Sequence, residues 1–295
     1  MDIMNNTLRK HAEVADKPVA ERNIGTLLLE AGKITSADAE RILRYQKERG
    51  LRFGDAAVEL KIVNEADIRQ VVAKQFQYPY LREGEASFPA ALIAAYQPFS
   101  PEVEALRALR SQLLLRWFGT GRHGLAVIGV GASGKAASLL TSNLAVVFSQ
   151  LGEQTLVIDA NLRSPQQQHM FNLGGRQGLS DMLAQRQAGE TICRIPHFVD
   201  LSVLPSGTEA PNPLELLNRS AFQALCSDVM SRYDVVLSDT PPTGAGSDCF
   251  TIAARLGGAV LVATKDATRQ ADVRAAAAQL KQNGVVLVGT VLAEE

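Results

Sequence analysis

The chain has 295 residues, 46% of them hydrophobic and 21% charged, with 30 Lys and Arg against 31 Asp and Glu. That length suits two domains, the composition excludes wholesale disorder, and a net charge of −1 offers no basic field to nucleic acid or an anionic lipid surface. The most apolar stretch, residues 253–264, is broken by Arg255 and two glycines and is too short to cross a bilayer, while Cys193, Cys226 and Cys249 are widely spaced and read as reduced apolar thiols of a cytoplasmic protein.

Residues 1–20 are polar and aperiodic, read as a flexible tail with no apolar core for a secretory signal. A repeat with a period of 29 follows: NIGTLLLEAGKITSADAERILRYQ (23–46) aligns with RFGDAAVELKIVNEADIRQVVAKQ (52–75). Gly25 matches Gly54, Asp38 matches Asp67 and Gln46 matches Gln75. Each unit reads as a short helix, a turn and a second helix, with Thr35 and Asn64 as N-caps three residues ahead of an acid. Two such hairpins can bury apolar faces on each other, so residues 21–82 are expected to form a small all-α domain. Residues 83–100, with Pro89 and Pro98, read as a linker to a domain spanning 101–295.

A helix is expected from Pro101 to about Phe118, with proline in its first turn. Beyond Gly121 apolar strands alternate with helices: 125–130, 155–160, 201–205, 234–239, 259–264 and 285–292. Continuous apolar runs mark strands covered on both faces, hence an α/β fold with a doubly wound, mostly parallel sheet. After the first strand comes GVGASGKAASLL. A glycine-rich turn entering a helix offers backbone N–H groups to phosphate. Gly129, Gly134 and Lys135 match the template GxxxxGK[ST], but Ala136 stands where the Mg²⁺-binding hydroxyl belongs. The second strand ends in LVIDANLR, with Asp159 and Arg163, and the fourth in VVLSDTPP, with Asp239. Acids at two strand tips beside a phosphate turn can hold Mg²⁺.

In this combination the chain resembles the bacterial tyrosine kinases, a MinD/ParA-related P-loop family, and within it the EpsG-type chain-length determinant kinases. The resemblance covers Phe99 to the C-terminus. It implies ATP or ADP with Mg²⁺ as ligands, ring-like homo-oligomers, and regulation of exopolysaccharide polymerisation and export. It also implies a membrane polysaccharide co-polymerase as partner, which would recruit the cytoplasmic protein to the inner membrane. The implied nucleotide site is Gly131, Gly134, Lys135, Ala136, Ala137 and Ser138; the Mg²⁺ ligands are Ser138, Asp159 and Asp239; the catalytic positions are Asp159, Asn161 and Arg163. Glu104, Arg107 and Arg110 fall on the family's ExxRxxR helix, which helps protomers assemble.

The departures from the family pattern bear on activity. Aligned without gaps, Ser138 keeps the hydroxyl, but Ala136 replaces a glycine and Ala137 the phosphate-binding cation. Shifted by two, Lys135 becomes the cation and the hydroxyl is lost to Ala136. In the DxDxR motif the second acid is Asn161, whose amide accepts no proton at neutral pH. The five tyrosines lie at 45, 78, 80, 96 and 233, with no cluster near the end of the sequence. These departures point to impaired or lost kinase activity. An active ATP-dependent autokinase and a non-enzymatic scaffold sensing cyclic di-GMP stand as alternatives. The last arises because the repeat resembles the MshEN-type domain of secretion ATPases. That resemblance implies Arg22, Gly25, Gln46, Arg52, Gly54 and Gln75 as cyclic di-GMP contacts, or docking to a protein without nucleotide.

Overall fold

The computed structural model describes residues 23–65, 67–68, 71, 81, 88–186 and 189–294. The chain divides into two compact units, Met1–Pro79 and Tyr80–Glu295.

In the first unit, α1 (Ile24–Glu30), α2 (Ser36–Arg49) and α3 (Phe53–Glu59) enclose a core of Leu27, Leu28, Ile42, Ala56 and Ala57. Thr35 caps α2: its hydroxyl accepts from the Asp38 N–H at 3.2 Å, and the Asp38 carboxylate accepts from the Thr35 N–H at 3.0 Å. The second repeat forms the same reciprocal pair between Asn64 and Asp67, at 3.2 and 2.8 Å. The repeat glycines have a packing reason. A Cβ on Gly25 would lie 3.1 Å from the Phe53 ring, and one on Gly54 would lie 3.7 Å from Ile24. Ile24 and Phe53 are equivalent positions, so each repeat's large apolar residue lies on the other's glycine.

The second unit is built on a seven-stranded sheet of order β3-β4-β2-β5-β1-β6-β7. Its elements are α4 (Ile93–Tyr96), α5 (Pro101–Arg116), β1 (Gly124–Gly129), α6 (Gly134–Ser149), β2 (Thr155–Asp159), α7 (Gln167–Met170), α8 (Leu179–Leu183), β3 (Cys193–Arg194), β4 (Leu201–Leu204), α9 (Pro213–Asn218), α10 (Ser220–Arg232), β5 (Val235–Asp239), α11 (Asp248–Leu256), β6 (Gly258–Thr264), α12 (Gln270–Gln282) and β7 (Val286–Ala293). Every pairing is parallel except that of β3 with β4. β1, β2, β4, β5 and β6 are buried along their whole length, as continuous apolar runs require.

Two strands differ from expectation. The apolar run of β7 is only half covered because it lies at a sheet edge, and the two-residue antiparallel β3 gave no sequence signal. Within the segment expected to be a linker, Leu92, Ala94 and Ala95 are buried in the second unit. Asn143 of α6 anchors them, accepting from the Ala94 N–H at 2.9 Å and donating to the Ala91 carbonyl at 3.0 Å. Among the described residues no helix is long and apolar enough to cross a membrane. Cys226 and Cys249 are buried, which pushes both thiols up to about 12, and Cys193 is half-buried.

Candidate nucleotide site

The parallel register of β2 with β5 sets Asp159 beside Asp239 at the carboxyl edge of the sheet. Both side chains are fully buried. Asp239 Oδ1 accepts from Ser138 Oγ at 3.0 Å, and Oδ2 accepts from Gln167 Nε2 at 2.7 Å. Asp159 Oδ2 accepts from the N–H groups of Gln166 and Gln167, at 3.1 and 2.8 Å, while its Oδ1 is buried with no partner among the described residues. Burial raises the Asp239 carboxyl to about 6; burial, then the Asp239 charge, raises Asp159 well above the carboxylate range.

The helix hydroxyl facing the β5 acid is thus that of Ser138, as in the gapless alignment, and not position 136. Gln167 went unnoticed in the sequence, yet it touches every member of this cluster. Its backbone holds Asp159, and its amide donates to Asp239 Oδ2 and to the Ser138 carbonyl at 3.1 Å and accepts from Ser142 Oγ at 2.7 Å.

The loop from β1 to α6 is stapled on both sides. The Gly131 N–H donates to Thr243 Oγ1 at 2.9 Å, and Ser133 Oγ bonds Thr264 Oγ1 and Thr268 Oγ1 at 2.8 and 2.9 Å. Gly134 lies so close to Pro242 that a Cβ there would meet its ring at 3.1 Å. Helix α6 begins at Gly134, and the Ala137 N–H is spent on the Ser133 carbonyl at 3.0 Å. The Ala137 side chain is buried against Val127 and Val262. What remains to face an anion is the first-turn N–H groups of Gly134, Lys135 and Ala136, with the exposed Lys135 ammonium.

A magnesium ion therefore meets a mixed site. The hydroxyl of Ser138 and the carboxylates of Asp239 and Asp159, the latter with its Oδ1 orphaned, fit a hard cation. On the phosphate side, the gapless alignment sets Ala136 and Ala137 at the glycine and cation positions, and the shifted one sets Lys135 at the cation position. Asn161 is turned to other work, its Oδ1 accepting from the Ser164 N–H at 3.1 Å. Arg163 forks onto the buried Asp248, with Nε and Nη2 at 2.7 and 3.2 Å from its two oxygens.

On α5, Arg107 Nη1 pairs with Glu104 at 2.9 Å and Nη2 donates to the Pro98 carbonyl; Arg110 Nη1 donates to the Val147 carbonyl at 2.7 Å. Both arginines are engaged within their own unit, whereas the Glu104 side chain is 72% exposed. In the first unit Gly25 is covered by the Phe53 ring, Arg52 is exposed, and Gln46 lies in the last turns of α2. Arg22 and Gln75, named with them, lie outside the described residues, as do Tyr78 and Tyr80.

No family model matches the chain. It is 30% identical over 197 residues to the candidate tyrosine-protein kinase CapB of Staphylococcus aureus, covering 66% of this chain and 86% of that one. It is 28% identical over 285 residues to a candidate tyrosine-protein kinase of the cps region of Klebsiella pneumoniae, covering 94% of this chain but only 38% of that relative. Among solved structures, the kinase domain of the Escherichia coli tyrosine kinase Etk superposes with a TM-score of 0.66 at 30% identity, over 69% of this chain and 79% of that one. The cell-division ATPase MinD of Pyrococcus furiosus, 23% identical with a TM-score of 0.50 over 58% of this chain and 71% of that one, shares the fold.

Proposed function

Since the chain belongs to the bacterial tyrosine-protein kinase family, we propose that it is a regulator of exopolysaccharide polymerisation or export whose own kinase activity is impaired or lost. One observation carries this reading: the Ser138–Asp239 bond keeps the metal-binding half of the site, while Ala136 and Ala137 take the glycine and cation positions. The Ala137 N–H, bonded to Ser133, is no longer free for phosphate. When bound, Mg²⁺ would neutralise phosphate charge, held by Ser138, Asp159 and Asp239. Holding the β- and γ-phosphates would fall to Lys135 and the first-turn N–H groups. Asn161 supplies no proton acceptor for a tyrosine hydroxyl. Loss of positioned charge of this kind typically costs about 2.7–4 kcal/mol of transition-state stabilisation per group.

The polysaccharide setting rests on the resemblance to the EpsG-type kinases, and the naming of the Klebsiella relative for the cps region agrees with it. The same reading makes a membrane chain-length determinant the partner, and a homo-oligomer the working form. For the MshEN-like repeat unit we assign docking rather than cyclic di-GMP binding, because Phe53 and Ile24 cover the glycines that a bound nucleotide would approach. Incubation with Mg·ATP followed by phosphotyrosine detection tests the central reading. Little or no signal is expected. Clear phosphotyrosine that disappears in Asp159→Asn would establish an active autokinase instead.

A further inference from the structure

Beside edge strand β3 the second unit carries a cavity of about 700 Å³, within the range of small-ligand sites. Neither the phosphate loop nor the Asp159–Asp239 pair lines it. Its wall combines the rings of Phe88 and Phe171 with the basic side chains of Arg176, Arg194 and His197. Phe88 is held in an aromatic cluster, edge-on to Phe171 at 6.3 Å and to His197 at 5.7 Å. Each guanidinium is tethered by a single backbone acceptor: Arg176 Nε donates to the Leu173 carbonyl at 3.2 Å, and Arg194 Nη2 to the Val199 carbonyl at 3.1 Å. Among the described residues neither has a carboxylate within ion-pair distance, and Glu190 is the single acid of the lining.

We propose that this cavity binds an aromatic ring carrying a phosphate group. Two guanidinium forks without acid partners match the oxygens of a phosphate, and the phenyl walls match the ring attached to it. The backbone tethers, with the weak contact of Arg176 Nη1 on Cys193 Sγ, hold the arginines at the rim while leaving other N–H groups to donate. A phosphotyrosine side chain and a nucleoside monophosphate both present this chemistry. The assignment is independent of whether the P-loop binds ATP.

Titration of the full-length protein with O-phospho-L-tyrosine, AMP, tyrosine and inorganic phosphate, each separately, tests it. Phosphotyrosine or AMP should bind at least about tenfold more tightly than either tyrosine or free phosphate, and whichever binds identifies the source. Arg176→Ala and Arg194→Ala should each weaken that binding about tenfold without lowering the melting temperature, since both side chains are exposed. Cys193 lines the same cavity, with Arg176 Nη1 4.0 Å from its sulfur, so the ligand should slow its alkylation in the unsubstituted protein. Failure of both phosphorylated probes to bind overturns the proposal. Equal binding of free phosphate, or binding indifferent to both substitutions with Cys193 unprotected, also overturns it.

Discussion

Two carboxylates side by side in a dry sheet edge are costly wherever both are ionised. The native state holds protons on Asp159 and Asp239 more tightly than the unfolded chain does, because both are raised above the ordinary value of 3.8. The contribution of Asp239 is therefore full below about pH 3.8 and is lost as pH rises through about 6, and that of Asp159 is lost in the same direction. Asp159→Asn keeps an acceptor for the Gln166 and Gln167 N–H groups and sets an amide where Oδ1 has no partner. It should therefore raise the melting temperature at pH 8, with the gain shrinking as pH falls toward 4; a gain independent of pH would refute the charge explanation. The acids themselves stood out in the sequence, because each ends an apolar strand of a chain whose first strand runs into a glycine-rich turn. Gln167 did not: it stands in a run of three glutamines, and only the fold selects which one turns inward.

At the scale of elements, the start of α6 decides what the loop can do. Ala136 and Ala137 are good helix formers at the positions where the gapless alignment with the resembled family sets a glycine and a cation, and Ala137 has its side chain in an apolar pocket. Combining Ala136→Gly with Ala137→Lys should restore a flexible turn and a cation, tightening Mg·ADP at least about tenfold by calorimetry. In the helical repeat, Gly32 and Lys61 make the same left-handed turn, with φ of 65° and 54°. A lysine pays sterically there, so Lys61→Gly should stabilise the unit by about 1 kcal/mol, read from denaturant unfolding. On α5, Glu104→Arg probes assembly without touching the internal bonds of Arg110. If this helix forms the interface, the substitution should lower the oligomer's mass in sedimentation, whereas unchanged mass removes it from the interface. Most elements were legible from apolar period and caps, with strand ends within a residue of those expected. An apolar run cannot reveal whether its strand lies inside the sheet or at the rim, which is why the exposure of β7 had to come from topology.

For the whole molecule, the proposed function requires a tyrosine-kinase fold that holds a metal at Ser138, Asp159 and Asp239 without a complete phosphate cradle, beside a repeat whose glycines serve packing. Such a chain can act through what it binds and assembles with rather than through phosphoryl transfer. Calorimetric titration of Mg·ATP into the purified full-length protein tests this most directly. The dissociation constant should lie near or above about 1 mM, because neither Lys135 nor the remaining first-turn N–H groups replaces a complete phosphate cradle. A micromolar dissociation constant, abolished by Lys135→Ala, would show that the loop opens to hold nucleotide with Lys135 as its cation, and would contradict the account.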